Sequence, residues 1–302
     1  MTRRGWVLFI SLGVIWGLPY MLIKIAVREV NPDLLVFFRT AGGALLLGPF
    51  AVAKGQLKGL LKLWLPLLVY TAAEIAVPWV LLFNAEKRLP SSLTGLLIAA
   101  VPLVGALLAL TTGSDTLDRR RLLGLMVGFG GVAALVGFAV GGSDVWAAVS
   151  LIGVVVGYAL GPWILARYLA EAPPMGVVTG SLILAALVYA PLAAFHLPRH
   201  ALSASVLESV IGLTVICTVI AFLVFFALIA EVGPMRATVI TYVNPAVAVV
   251  LGVAFLGESF GVATGVGFVL ILGGCFLATQ RARSQDAVSL DTAAELPAVA
   301  EP

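Results

Sequence analysis

With 302 residues, 61% of them hydrophobic and 11% charged, and a mean hydropathy of +1.12, this chain cannot fold as a water-soluble globule. Its formal charge of +3 comes from basic residues scattered over short polar breaks without exposed aromatics between them, which speaks against a nucleic-acid partner. The apolar runs are continuous rather than alternating, so they read as membrane helices and not as strands of a barrel.

Ten such runs are expected, near residues 6–28, 33–53, 60–83, 93–112, 121–140, 145–169, 176–195, 206–230, 237–256 and 261–280. Each is long enough to cross a hydrocarbon core. The fold class is therefore an all-α membrane protein of ten transmembrane helices, multi-pass in the cell membrane with the lipid bilayer as its surroundings. The first run continues through Trp16-Gly17-Leu18-Pro19 without a small-residue cleavage site and reads as an uncleaved span. With the N-terminus inside, twelve Lys and Arg residues fall on the inner side against six on the outer, the bias that cytoplasmic loops carry. An even number of spans returns the C-terminus inside, so both termini are expected in the cytoplasm. The stretch 281–302 is expected to be a disordered cytoplasmic tail.

In the first span, Trp16, Pro19 and Tyr20 lie near the middle, and Pro19 frees the carbonyl of Ile15, predicting a bend. Lys24, Arg28, Glu29 and Asp33 mark its outer end. Arg39 enters the second span near the same surface, where it is expected to snorkel. The third span carries an acid in its interior: Tyr70, Glu74 and Pro78 share a helical face with Thr71, and Trp79 follows. Pro78 lacks the N–H that would bond the carbonyl of Glu74, so one spot gains a carboxyl, a free carbonyl and a kink. An ionised carboxylate at this depth costs about 2.5–3.5 kcal/mol or more, so Glu74 should face protein or water, or carry a proton. Ser91-Ser92 read as the cap of the fourth span, and Pro102 bends it by freeing the carbonyl of Ile98.

The fifth span is studded with Gly124, Gly128, Gly130, Gly131 and Gly137, spacings that let membrane helices approach closely within the chain. Gly141-Gly142-Ser143 make a short outer turn. The sixth span offers Tyr158, Pro162 and Trp163; the eighth, Thr214 and Thr218; the ninth, Thr241, Tyr242 and Asn244, with Pro245 freeing the carbonyl of Thr241. Such hydroxyls and amides either bind a substrate's charged groups or bond neighbouring helices. Trp6, Trp64 and Trp146 fit an aromatic belt. His196 and His200 fall in an outer loop without a third ligand. Cys217 and Cys275 sit in apolar runs without C-x-x-C spacing and read as packing residues, so no metal site is expected.

Shifting the chain by 143 residues lays Pro102 on Pro245, Asp115 on Glu258, Gly124 on Gly267 and Gly130-Gly131 on Gly273-Gly274. The same shift sets Pro19 on Pro162, Lys24 on Arg167 and Thr71 on Thr214. Five spans per half is an odd number, so the halves, 1–140 and 141–280, are expected to sit in opposite orientations as two inverted five-helix repeats.

Four stretches in this order, Ile15-Trp16-Gly17, early Arg39, Leu89-Pro90-Ser91-Ser92-Leu93 with Pro102, and Asn244-Pro245 through Leu256-Gly257-Glu258-Ser259, carry a likeness to known transporters. Over about residues 6–280 the chain resembles the drug/metabolite transporter superfamily, specifically its EamA-type ten-helix members. The resemblance implies a basket of ten helices with cytoplasmic termini. It also implies a cavity lined by the first, third, fourth, sixth, eighth and ninth spans, and export of amino acids, related metabolites or drugs. Glu74 and Pro78 depart from it, since not every member has them and their matches in the second half are Cys217 and Ala221.

A secondary transporter working by alternating access accounts for the repeat, the paired prolines and the single buried acid. An intramembrane enzyme would need a nucleophile and base or a metal cluster, yet no His lies in any span. A receptor or assembly subunit would need a large loop or partner domain. No Walker A sequence is present, so ATP is not the expected driving force, and no cofactor is implied. The candidate coupling and substrate-binding residues are Glu74, Trp16, Tyr20, Thr71, Trp79, Tyr158, Trp163, Thr214, Thr241, Tyr242 and Asn244; the candidate hinges are Pro19, Pro78, Pro102, Pro162 and Pro245. Glu74 has two readings: a group that exchanges a proton or pairs with a substrate ammonium, or one held permanently by hydroxyls such as those of Tyr70 and Thr214.

Overall fold

The computed structural model describes residues 2–113, 117–139, 145–233 and 237–279, and the tail 281–302, the turn Gly141-Gly142-Ser143 and Asp115 lie outside them. Among the described residues the chain is all helix. Eight helices are long and apolar enough to cross a membrane: α1 Arg3–Ala26, α2 Pro32–Ala53, α3 Leu60–Glu86, α4 Ser91–Thr111, α5 Arg119–Ala139, α6 Val145–Tyr168, α7 Pro174–Phe195 and α8 Ala204–Val232. Two shorter apolar helices follow, α9 Asn244–Leu256 and α10 Val262–Thr279.

Local chemistry sets several ends. Thr2 caps α1 by accepting from the Gly5 N–H at 2.9 Å, and Asn31 precedes Pro32 at the start of α2, where proline's missing N–H costs nothing. Glu29, in the turn after α1, accepts from the main-chain N–H of Ser203 at 2.9 Å, which joins that turn to the start of α8. Hydrogen bonds from Ser203 hold this exposed carboxyl below the usual carboxylate range. The expected serine cap of α4 is not what forms. The helix begins at Ser91 itself, and the Ser91 and Ser92 N–H groups are taken by the two carboxylate oxygens of Glu258, at 2.6 and 2.8 Å, from the turn between α9 and α10. An anion outweighs a hydroxyl at a helix N-terminus because it also meets the helix dipole.

Four helices are irregular. α3 passes through a π turn at Ala72–Ala76 just before Pro78, and α8 through a longer π segment, Gly212–Ile220. α4 breaks between Ile98 and Val101, ahead of Pro102, and α9 is preceded by a 3-10 turn, Thr238–Tyr242, ahead of Pro245. A residue without an N–H cannot close the helical bond four residues back, which explains both breaks. Pro19 and Pro162 behave differently: α1 and α6 run through them as continuous helices, so neither is a break. The irregularities recur with the 143-residue spacing, since the π turn of α3 maps inside that of α8 and Ala99-Ala100 maps onto Tyr242-Val243.

Helices pack in corresponding pairs. α2 lies on α7, α5 on α10, α1 on α8 and α9, and α6 on α3 and α4. The core gathers Ile23, Leu35, Leu47, Phe83, Leu96 and Leu103, all fully buried. Trp6, Trp64 and Trp146 are exposed near helix ends, where amphipathic rings meet lipid headgroups. The α5–α10 seam is made by small residues: a side chain on Gly124, Gly128 or Gly131 would run into α10 or Leu103, and one on Gly274 into the backbone of Gly124 and Gly128. The Gly124–Gly128 pair thus cements helices within the chain. Gly273, one residue before, faces open space. Gly274→Ala should therefore destabilise the protein by about 1–3 kcal/mol, as overpacking against backbone does, while Gly273→Ala should be neutral or slightly stabilising. Thermal unfolding of both variants in detergent checks this, and equal behaviour would contradict the seam.

Candidate functional site

The π turn of α3 brings Glu74 to the interior side of the helix, against α6. There Gly157 and Gly161 leave room for it: a side chain on Gly157 would meet the carbonyl of Ala73 and the ring of Pro78, and one on Gly161 would meet the Glu74 carboxyl. Glu74 is half-buried, and its Oε2 is sealed from solvent with no hydrogen-bond partner. The widened turn also leaves the carbonyl of Ala76 to the hydroxyl of Tyr189 on α7, at 2.9 Å. Of the two hydroxyls expected to hold Glu74, that of Tyr70 lies within electrostatic reach of it; so does Tyr158 of α6.

The sequence reading missed the cation of this region. Arg39 does not snorkel to a surface; it is 6% exposed and turns into the bundle between α3 and α8. Its guanidinium lies over the Trp79 ring at 3.8 Å, donates through Nε to the Thr218 hydroxyl at 2.9 Å, and points Nη2 at the Cys217 carbonyl at 3.4 Å. That carbonyl is available because the π segment of α8 displaces the regular ladder, and the Thr218 hydroxyl itself donates five residues back, to Leu213, at 2.9 Å. A planar cation that can stack and fork gains more here than at the interface. The signal in the sequence was an arginine set eight residues into a span with an acid on the next one. Tyr20 and Tyr158 complete the surroundings of Arg39. The structure thus gathers Trp79, Tyr158 and Tyr20 around Arg39, and Tyr158 is the residue within reach of both Arg39 and Glu74.

The other candidates disperse. Trp16 packs on Phe225 and Phe222 of α8, with ring centroids 4.9 and 6.4 Å away. Thr71 donates to Leu67 at 2.7 Å and Thr214 to Val210 at 2.9 Å, each along its own helix, so neither hydroxyl reaches Glu74. Trp163 packs edge-on against Tyr168, and Tyr242 pairs with Thr279 of α10 at 2.9 Å. Thr241 is half-buried in the 3-10 turn. Asn244 is also half-buried, with a sealed and unpartnered Oδ1, near Gly17 of α1. An apolar groove of about 300 Å³ between α2 and α8, lined by Phe38, Leu207, Val210, Ile211 and Thr214, opens elsewhere and does not include Glu74 or Arg39. Among the described residues no three His, Cys, Asp or Glu side chains gather as metal ligands.

Comparison with known proteins gives this geometry a context. The pattern of the EamA-like transporter family matches residues 3–137 and again 145–280. The chain is 26% identical over 256 residues to the uncharacterized inner membrane transporter YedA of Escherichia coli (strain K12), covering 82% of each protein. It is 23% identical over 293 residues to the uncharacterized transporter YvbV of Bacillus subtilis (strain 168), covering 96% of this chain and 95% of that one. A solved structure titled only as the crystal structure of a protein superposes with a TM-score of 0.66 at 20% identity, over 92% of this chain and 98% of that chain, a likeness of fold.

Arg39 and Trp79 should be energetically coupled. Arg39→Lys keeps the charge but loses the fork and the flat face, and should cost about 1–3 kcal/mol. In the Trp79→Leu background that cost should shrink by about 1–2 kcal/mol, the share of a desolvated cation–π contact. A double-mutant cycle of thermal or denaturant stability in detergent measures it, and additivity would show that the stacking contributes nothing.

Proposed function

This chain belongs to the EamA-like transporter family, and on that footing we propose that it is a secondary active transporter exporting small metabolites, amino acids or related compounds, or drugs, by alternating access. In this reading all ten helices cross the membrane, α9 continuing through the 3-10 turn before it. Residues 1–140 and 141–280 form two inverted five-helix repeats that rock against each other around a central site. The matched π turns and helix breaks support this, because broken helices are tolerated in a bilayer where they line a cavity or are answered by neighbouring side chains. Both termini face the cytoplasm, as the Lys and Arg bias of the loops favours.

The observation that carries the mechanism is the Glu74 carboxyl: an acid inside the bundle, one oxygen sealed and unpartnered, on a π turn that faces Gly157 and Gly161. A permanently structural acid would be held by hydroxyls; of the two expected, Thr214 is engaged on its own helix, and Tyr70 comes within electrostatic reach while the Glu74 Oε2 stays unpartnered. Glu74 instead takes up and releases a proton, or pairs with a substrate cation, as water reaches it from one side at a time. Arg39, packed against Trp79 and the α8 carbonyl, joins the two halves. No ATP-binding or enzymatic chemistry is needed for this cycle.

Glu74→Gln retains size and hydrogen bonding and removes the titration. In proteoliposomes screened with amino acids, nucleosides and cationic drugs, the variant should lose gradient-driven transport to background while keeping substrate exchange if the proton is the ligand, and lose binding itself if a substrate cation is. An unchanged rate and pH dependence in a folded Glu74→Gln protein would end the proposal. Reporter fusions at the two ends should place both in the cytoplasm; opposite locations would rule out an even number of spans.

A further inference from the structure

A second acid is buried more completely than Glu74, and nothing in the central site uses it. Glu86 ends α3 with 0% exposure, and neither of its carboxyl oxygens has a hydrogen-bond partner. The ammonium and the main-chain N–H groups nearest it are committed elsewhere. Lys24 of α1 gives its ammonium to two main-chain oxygens, those of Glu86 at 2.6 Å and Leu89 at 2.8 Å, rather than to the Glu86 carboxyl. The first N–H groups of α4 belong to Glu258. A side chain on Gly252 would strike the Glu258 carboxylate and the Ser91 hydroxyl, so that clasp is closed tightly over the end of α3.

The surroundings argue against a charge on Glu86. It lies at the C-terminal end of a helix, where the dipole disfavours an anion, and Glu258 brings a second carboxylate within electrostatic reach. Tyr20 of α1 also faces it, without a hydrogen bond. On α2, Asp33 is turned away toward His196, 3.5 Å from its Nδ1; Lys87 and Arg88, the next residues along the chain, are exposed; and Asp144, ahead of α6, lies outside the described residues. Lys24 is thus the cation in reach, and it is spent on carbonyls. A neutral carboxyl tolerates this enclosure; a carboxylate with four empty acceptor positions does not.

We propose that Glu86 is a proton-binding site which, when occupied, allows the α1–α3–α4–Glu258 end of the bundle to close, and which, when empty, opens that end by drawing water and the Lys24 ammonium onto the carboxylate. The step is a simple one: the carboxyl O–H bond forms with a proton from water at that end, and breaks by returning it there. In the orientation proposed above this is the external face, so an acidic exterior favours the closed outer end. The site's part in a transport cycle rests on the alternating-access reading; its protonation and its closure do not, and they are read without substrate.

The test uses the full chain in proteoliposomes carrying Leu89→Cys, a reporter at a position 2% exposed whose carbonyl is one of those Lys24 holds. Labelling by a membrane-impermeant maleimide is followed between acid and alkaline pH, with the signal of the two native, buried cysteines subtracted. Comparing Glu86 with Glu86→Gln at each pH cancels the thiol's own titration. The ratio of labelling rates should be near one at acid pH and climb by up to about tenfold per pH unit as the proton leaves, since Gln mimics the protonated form at every pH. A ratio that stays flat overturns the site. Glu86→Met, apolar and of similar length, should match Glu86→Gln. Should neither variant fold, the Leu89→Cys parent is compared with the same thiol in denatured protein, and a flat profile again overturns the proposal. Failure of Glu74→Gln to alter transport would leave these outcomes untouched.

Discussion

A main-chain N–H or C=O that leaves its helix inside a bilayer has no water to turn to, and this bundle is built around answering the groups that do leave. Five answers are visible. Tyr189 donates to Ala76 at the π turn of α3, and Arg39 approaches Cys217 in the π segment of α8. The Cys275 thiol meets Ala99 at the break of α4, at 3.2 Å. Lys24 holds the end of α3, and Glu258 the start of α4. Every donor or acceptor comes from a different element than the group it serves. Local irregularity and tertiary packing are therefore one problem here: a helix cannot be straightened without orphaning a side chain on its neighbour, and a neighbour cannot slide without exposing a carbonyl.

How much of this the sequence disclosed depends on the kind of signal. Apolar runs and prolines act locally, so the helices and the breaks at Pro102 and Pro245 were legible to within a few residues. Pro19 and Pro162 carried the same signal, yet α1 and α6 continue through them; one missing N–H weakens a helix, and packing decides whether it parts. The π segment of α8 had no such mark, since no proline lies within Gly212–Ile220. It was foreshadowed only by its spacing from the π turn of α3, which a repeat of 143 residues would carry across.

Polar side chains were less legible because their partners are far away in sequence. Arg39 was assigned to a surface on depth alone. Its partners, Trp79 and Thr218, are contributed by other helices, and the second lies 179 residues on. The hydroxyls erred the other way: Thr71 and Thr214 were candidates for a shared site, but each is satisfied by a carbonyl one turn back on its own helix, an option open to any helical threonine. Ser91 and Ser92 illustrate a third case, in which a good local cap was displaced by a stronger anion that no local pattern could reveal.

In the proposed inverted repeat, the matched π turns have different chemistry, and this difference matters more than their likeness. A backbone with two-fold pseudo-symmetry makes the inward-facing and outward-facing states near equivalents, so by itself it gives transport no preferred sense. At the matched position the first half carries Glu74, a carboxyl with a sealed oxygen, while the second carries Cys217, whose carbonyl and the neighbouring Thr218 hydroxyl are held by Arg39. The end of α3 differs in the same manner, because Glu86 maps onto Ile229, which cannot titrate. A ligand or proton bound on one half thus has no equivalent on the other. Only a differential affinity of this kind can bias an otherwise balanced exchange of conformations, so in the proposed cycle vectorial coupling resides in a few unmatched side chains laid on a matched scaffold.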